Sequence, residues 1–472
     1  MSSVKVSVLA AGILAAATFG TAQASEKRDV GQVFAETCAA CHGAKLQGGQ
    51  SASLVDDVWI HGGDDASLAR SIREGRTDAG MPAFGSALSE QEIRALVIFI
   101  REKVDEAKRA ETAYAKPTGD AVVKSEEHAF RVETVADGLE APWSIAFLPD
   151  GRMLVTEKAG RLRIVEKGKL LPEAVAGVPP VWSEGQGGLL DVAVHPEYAK
   201  NGWIYLSLSD PGADGTAMTK VIRVRLRDGR LVDQETLFEA PRALYRKGQV
   251  HFGSRFVFDG KGHLFFSIGE RGQKDDAQDL ARPNGKVHRI HDDGRVPADN
   301  PFARQAGAMP TIWSYGHRNP QGLAQHPVTG DLYDAEHGPR GGDELNRVLP
   351  GRNYGWPVIT YGMNYDGSPI THLTAKEGME QPVAYWVPSI AVCAIDFYAG
   401  EGFPRWKDDL LVSSLAAEEL RRLVLDGGKV TKQEVLFKGI GRIRDVVSGP
   451  DGFVYVAFNG PDRVARLVPA TP

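Results

Sequence analysis

From residue 128 onward the chain keeps returning to one local pattern: a polar turn, usually carrying Gly, followed by a short apolar run. Pro149-Asp150-Gly151 precedes Arg152-Met153-Leu154-Val155-Thr156. Asp259-Gly260-Lys261-Gly262 precedes His263-Leu264-Phe265-Phe266-Ser267, and Pro450-Asp451-Gly452 precedes Phe453-Val454-Tyr455-Val456. His195-Pro196 and His326-Pro327 introduce two further copies. The hydrophobic segment before each turn reads as the preceding strand. Such units cannot bury their faces alone, whereas units arranged radially bury them on one another. The pattern predicts a β-propeller, because a large β-sandwich does not account for the recurring turn.

Residues 25–106 have a different texture and read as helices. Asp29 caps a segment with Val30, Val33 and Phe34 on one face. Asp65 opens a second with Leu68, Ala69 and Ile72, which Gly75 ends. Ser89 and Glu92 form a capping box ahead of the stripe Ile93, Leu96, Val97 and Ile100. Residues 107–127 have little periodicity and read as a linker, giving a small all-α region, a connector and an all-β region over 128–472.

The first 24 residues read as a targeting segment. Lys5 supplies the positive end, Val6 to Gly20 the apolar stretch, and Ala22-Gln23-Ala24 an A-x-A cleavage site. The mature chain is expected to start at Ser25 and to be exported, to a periplasm in a Gram-negative cell. No later apolar run is long enough for stable membrane insertion. The net charge of −6 supplies no basic field, which argues against nucleic acid as a partner. Three cysteines cannot make a disulfide framework, and two of them are close together.

Those two belong to Cys38-Ala39-Ala40-Cys41-His42, a C-x-x-C-H haem attachment motif. The thiols can add to the haem vinyl groups, which holds the His42 imidazole at the iron. A second axial ligand is commonly Met, and Met81 in Gly80-Met81-Pro82 is the candidate, with His61 as its rival. A zinc site needs a second ligand pair, which Cys393 alone cannot give. Cys393 reads as a buried structural thiol. From the attachment motif through Met81 to the last helix, this region resembles a small class I cytochrome c, which implies one covalent haem c.

The β-region carries several polar constellations. His251-Phe252-Gly253-Ser254-Arg255 leads into a strand pair that ends at Gly269-Glu270, where a carboxylate could orient the imidazole. Arg318-Asn319 shares one turn, Gly338 to Glu344 forms a tight turn ending in two carboxylates, and Arg442 and Arg444 alternate on one strand face. Turn carbonyls near carboxylates suit Ca²⁺, and paired guanidiniums suit a polyanion.

Together these segments resemble the soluble aldose (glucose/sorbosone) dehydrogenases that use pyrroloquinoline quinone (PQQ). The likeness runs from about residue 131 to 468. It is carried by Pro142 to Phe147, Gly185-Gln186-Gly187-Gly188-Leu189-Leu190, the 251–272 stretch and Gly316-His317-Arg318-Asn319-Pro320-Gln321-Gly322. Glu336-His337-Gly338-Pro339, Asp343-Glu344, Asn353-Tyr354-Gly355-Trp356-Pro357 and Arg442-Ile443-Arg444-Asp445 complete it.

The resemblance implies a six-bladed propeller with PQQ on its top face. His251 falls at the general base and Glu270 at the residue that orients it. Arg318 and Asn319 fall where the quinone end is bound, and Gln186 at another cofactor contact. Gly338 and Pro339 carbonyls fall at the Ca²⁺ site, with Asp343 and Glu344 supporting that turn as further candidate metal residues. Arg442 and Arg444 match positions that pair with the PQQ carboxylates. The family often has a Lys after Ser-Leu late in the propeller, whereas here Ser414-Leu415 is followed by Ala416, leaving Arg421 and Arg422 as candidate substitutes.

The implied activity is oxidation of an aldose to its lactone, with Arg318 and Ca²⁺ stabilising the developing oxyanion. Electrons would then leave one at a time through the haem to an external acceptor such as a soluble cytochrome or a quinone. A sugar-binding propeller without catalysis, coupled to a cytochrome redox sensor, is the alternative reading.

Overall fold

The computed structural model describes residues 28–471, so the expected targeting segment lies outside the described residues. The β-region is a ring of six antiparallel sheets. Five have four strands and span 142–170, 189–238, 256–315, 320–386 and 392–438. The sixth joins the chain's last strands, 442–469, to Ala129–Ala136 and the short edge strand Val123–Lys124. Ala129–Ala136 pairs with Arg463–Pro469, Phe130 opposite Pro469 and Thr134 opposite Ala465. The strand that begins the β-region thus completes the last blade and closes the ring.

The recurring turn has a simple physical basis. Gly151, Gly262 and Gly452 have φ of 86°, 85° and 81°, a region nearly closed to residues with a Cβ. Between blades, apolar side chains are fully buried: Leu154, Leu162, Ile204, Leu206 and Ile222 form one such layer, and Leu411, Leu420, Phe437, Ile443 and Phe458 another.

The axis of the ring is polar. Arg255 lies at the start of the third blade, buried beside its guanidinium stack on Trp143 at 4.4 Å. Its Nη1 donates to Asp191 at 3.1 Å and Asp445 at 2.9 Å, and its Nε donates to the Gln321 carbonyl at 3.1 Å. Asp191 also accepts from Ser144 Oγ at 2.6 Å, and Asp445 from the Ile145 N–H at 2.7 Å. One cation therefore joins the first, second, third, fourth and sixth blades.

The helical region follows the expected caps with one shift: Asp64, not Asp65, caps the helix Asp65–Glu74. The capping box of Ser89 and Glu92 is present, and Ile93, Leu96, Val97 and Ile100 are buried. The last helix, Glu90–Glu111, continues past residue 106 into the expected linker. Ion pairs Arg109–Asp105 and Lys108–Asp57 hold that extra turn, which periodicity of apolar residues does not register. Among the described residues no helix is long and apolar enough to cross a membrane.

Candidate active site and haem centre

His251 sits just before the third blade with φ of 57°, an uncommon conformation for a residue with a side chain. Its backbone N–H donates to Gln186 Oε1 at 2.7 Å, and its ring Nδ1 meets Glu270 Oε1 at 2.5 Å. An ionised carboxylate only accepts, so Nδ1 carries the proton and Nε2 is left as the basic atom. Gly269 permits this approach, since a Cβ there would stand 2.5 Å from the His251 carbonyl oxygen and 2.6 Å from Asn319 Oδ1. Burial lowers the His251 pKa from its ordinary value, and Glu270 opposes that only in part. The imidazole is therefore neutral and able to accept a proton near pH 7.

Arg318 and Asn319 are fixed from behind by Glu336, whose Oε2 accepts the Arg318 N–H at 2.5 Å and the Asn319 N–H at 3.3 Å. Arg318 Nη1 donates to the carbonyls of His337 at 3.0 Å and Gly338 at 2.7 Å. Asn319 Oδ1 accepts from the Gly253 N–H at 3.1 Å, tying this turn to the His251 segment. Around this junction, Asn319 Nδ2, Arg318 Nε, His337 Nε2 and Glu270 Oε2 are buried with no hydrogen-bond partner among the described residues. Unsatisfied buried polar atoms are costly, and this group of them fits a polar ligand rich in oxygen.

On the neighbouring sector Arg442 and Arg444 repel each other. Burial, then the Arg444 charge, lowers the Arg442 pKa, and Arg442 makes no ion pair among the described residues. Lys158 is depressed by burial and again by Arg444. With no carboxylate ion pair among the described residues, these three cations suit a ligand carrying several carboxylates. Lys158 was not marked by any sequence motif, and it brings a lysine to this sector where Ala416 does not. The expected substitutes are committed elsewhere: Arg421 pairs with Glu419, and Arg422 with Asp409 at 2.7 Å and Glu434 at 2.8 Å.

In the turn 338–344, Asp343 faces inward. Its Oδ1 accepts from the Gly338 N–H at 2.9 Å and Ser389 Oγ at 2.6 Å, and its Oδ2 from the Val392 N–H at 3.1 Å. Burial pushes its pKa up to about 6. Glu344 turns to the other face of the strand, where Asn346 Nδ2 donates to it at 3.4 Å, and burial, then Glu336, pushes its pKa well up. Asp343 is thus engaged in holding the turn, whereas Glu344 bonds Asn346 on its own strand, and the turn also offers backbone carbonyl oxygen to a cation. The Gly338 carbonyl keeps a second lone pair beside the one Arg318 uses.

A group that sequence reasoning missed lies behind Arg318. His317, Asp334 and Glu336 are close enough to share a metal ion. His317 Nδ1 instead lies 3.0 Å from Asp334 and 3.2 Å from Glu336, and its Nε2 bonds Ser314 Oγ at 2.8 Å. Burial lowers its pKa, but the two carboxylates outweigh that and raise it to about 9. His317 thus stands as a buried counter-charge beside Glu336, which holds Arg318 and Asn319.

In the helical region, Cys38 precedes the short helix Ala39–His42. His42 Nδ1 lies 3.3 Å from the Ala52 carbonyl, which fixes the tautomer that leaves Nε2 available to iron. Burial, then Cys41, raises the Cys38 thiol to about 11. Met81 is held in a backbone pair with Arg76 at 2.8 and 2.9 Å and packs on the apolar cluster that also meets Cys38 and Ala39. His61 is exposed. Cys393 is buried, and its Sγ lies 3.1 Å from the Arg444 carbonyl.

Comparison with known proteins gives the geometry its family. The model of "Glucose / Sorbosone dehydrogenase" matches residues 139–466. The chain belongs to the glucose/sorbosone dehydrogenase family. Residues 25–100 match "Cytochrome C oxidase, cbb3-type, subunit III", so this member of the family carries a cytochrome c domain at its N-terminus. It is similar to the aldose sugar dehydrogenase YliI of Escherichia coli (strain K12), at 46% identity over 331 residues, covering 69% of this chain and 89% of that protein. The apo-form structure of the soluble aldose sugar dehydrogenase from Escherichia coli aligns with a TM-score of 0.67 at 42% identity, covering 72% of this chain and all of that one. The PQQ-bound aldose sugar dehydrogenase of Streptomyces coelicolor aligns with a TM-score of 0.59 at 27% identity, covering 75% and 99%. This family member is a PQQ-dependent sugar dehydrogenase.

Proposed function

We propose that the protein oxidises aldoses to lactones at the His251 site and passes the electrons through a covalent haem c to an external one-electron acceptor, after export to the periplasm. The observation that carries this reading is the oriented, neutral His251 beside a junction of unpartnered buried polar atoms, in one chain with a haem attachment motif.

When bound, PQQ supplies a quinone that takes up the two electrons and two protons of the oxidised hydroxyl and releases the electrons singly. The chain's residues do the rest. His251 Nε2 accepts the sugar hydroxyl proton, and Glu270 steadies the imidazolium that results. Arg318 and Asn319 hold the quinone end, with the Arg318 charge placed where negative charge develops. Arg442, Arg444 and Lys158 hold the carboxylates, and Gln186 positions both cofactor and His251. Carbonyls of Gly338 and Pro339 hold Ca²⁺, an ion that takes oxygen ligands. Adding PQQ and Ca²⁺ to cofactor-free protein and following dye reduction by several aldoses tests the reading. Activity that appears only with PQQ supports it, and sugar binding without dye reduction contradicts it.

The haem assignment gives its own expectation. Met81→Ala leaves haem covalently attached through Cys38 and Cys41 but lowers its reduction potential, because loss of a thioether ligand disfavours the reduced iron. Redox titration followed by absorbance checks this, and an unchanged potential and spectrum would assign the axial position to another residue such as His61.

A further inference from the structure

The helix Glu90–Glu111 lies against the back of the turn that contains Gly338 and Pro339. Arg340 Nε and Nη2 donate to Glu102 Oε1 and Oε2 at 2.9 and 2.8 Å, a bidentate pair across the two regions in which the Glu102 side chain is only 9% exposed. One helical turn earlier, Ile98 Cγ2 comes to 3.5 Å of the position a Cβ would take on Gly341, where φ is 78°. Arg94, fixed by Asp65 at 2.6 Å, donates to the Tyr361 carbonyl at 3.3 Å.

The propeller also reaches into the cytochrome. Met363 is fully buried in the cytochrome's own apolar cluster, with Val33, Phe34 and Ile93, and Cys38 and Met81 pack against that same cluster. Met363 is joined to Arg340 by reciprocal backbone bonds of 2.9 and 3.0 Å. One short ladder therefore links the turn bearing Gly338 and Pro339 to the packing around the haem-binding residues.

Relative motion is the ordinary behaviour of two domains on a connector, unless their interface is built to prevent it. Here a bidentate ion pair and a buried methionine do so. We propose that Glu102, Arg340 and Met363 form a latch that seats the cytochrome on the back of the cofactor turn, so that electrons cross at this contact and not by collision of a swinging domain. The inference rests on the placement of PQQ and Ca²⁺ at Gly338 and Pro339 proposed above. Each aldose gives up two electrons and two protons. The electrons cross singly to ferric haem, which becomes ferrous and is reoxidised by a one-electron oxidant such as ferricyanide, and the protons go to solvent.

The test uses the full, haem-bearing chain as parent, Glu102→Arg, and the charge swap Glu102→Arg with Arg340→Glu. Amide hydrogen exchange, measured without PQQ, reports on the seat itself. In Glu102→Arg, amides of 340–342 and 360–364 exchange at least about tenfold faster, as expected when a largely buried ion pair is replaced by repulsion, and the swap restores protection. With PQQ and Ca²⁺ added, the ratio of sugar-driven haem reduction to small-dye reduction falls in Glu102→Arg and recovers in the swap. Unchanged exchange in Glu102→Arg, or an opened seat with that ratio at the parent value, would overturn the latch. Exchange is read without cofactor, so it judges the latch even where the parent oxidises no sugar, which is instead a failure of the proposed function.

Discussion

His251→Gln lowers the rate of sugar-driven cofactor reduction by about 10²–10⁴-fold, the usual cost of removing a general base, which is roughly 3–5.5 kcal/mol of barrier. Cofactor retention is kept, because its holds are assigned to Gln186, Asn319, Arg318, Arg442, Arg444, Lys158 and the turn at 338–339. Glu270→Gln costs less, since the proton acceptor remains. It also has a signature in pH. The reaction needs neutral His251, whose pKa burial already lowers and Glu270 partly restores. Removing the Glu270 charge lowers it further, so the acid limb of the rate profile moves to lower pH. Single-turnover rates against pH, with PQQ affinity and melting temperature on both variants, check these outcomes. A packing role for His251 would give the opposite pattern, a less stable protein with a near-normal rate per loaded molecule.

Arg255→Met destabilises the propeller by about 3–5 kcal/mol, the penalty for leaving buried charge without its partner. Asp191 and Asp445 are both fully enclosed and both face this one guanidinium. Burial pushes the Asp445 pKa up to about 7 even with Arg255 present. Without the cation both carboxyls would have to fold in their neutral form. Adding Asp191→Asn and Asp445→Asn to Arg255→Met therefore recovers much of the loss, because the whole charged group is then gone and not merely one side of it. Denaturant midpoints of the three proteins measure this. A loss below about 1 kcal/mol in Arg255→Met, the level of an exposed ion pair, would mean that the axis is hydrated and the network contributes little.

The recurring Gly-bearing turns made the propeller legible, because positive φ at Gly151, Gly262 and Gly452 is a local requirement that residue type records. The haem motif was legible for a similar reason: covalent attachment demands fixed spacing. The partnership of His251 with Glu270 could be anticipated because a single strand pair brings them together. What could not be read are the groups assembled from distant blades. Arg255 meets Asp445 across 190 positions, and Arg340 meets Glu102 across 238. Only ring closure and domain packing place them together, and no periodicity reports it. Lys158 was missed for the same reason, since its tie to Arg444 exists only in three dimensions. The end of the last helix was missed because ion pairs, not apolar residues, hold it.

The central claim is that sugar oxidation on the propeller and haem reduction in the cytochrome are one intramolecular process. Mixing PQQ- and Ca²⁺-loaded protein with limiting aldose in an anaerobic stopped-flow instrument tests it directly through haem absorbance. The account predicts one haem equivalent reduced per sugar, at a rate independent of protein concentration and suppressed in His251→Gln, with the second electron crossing only after an added one-electron oxidant has reoxidised that haem. Haem that stays oxidised while an added dye is reduced, or a rate that rises in proportion to protein concentration, would contradict it.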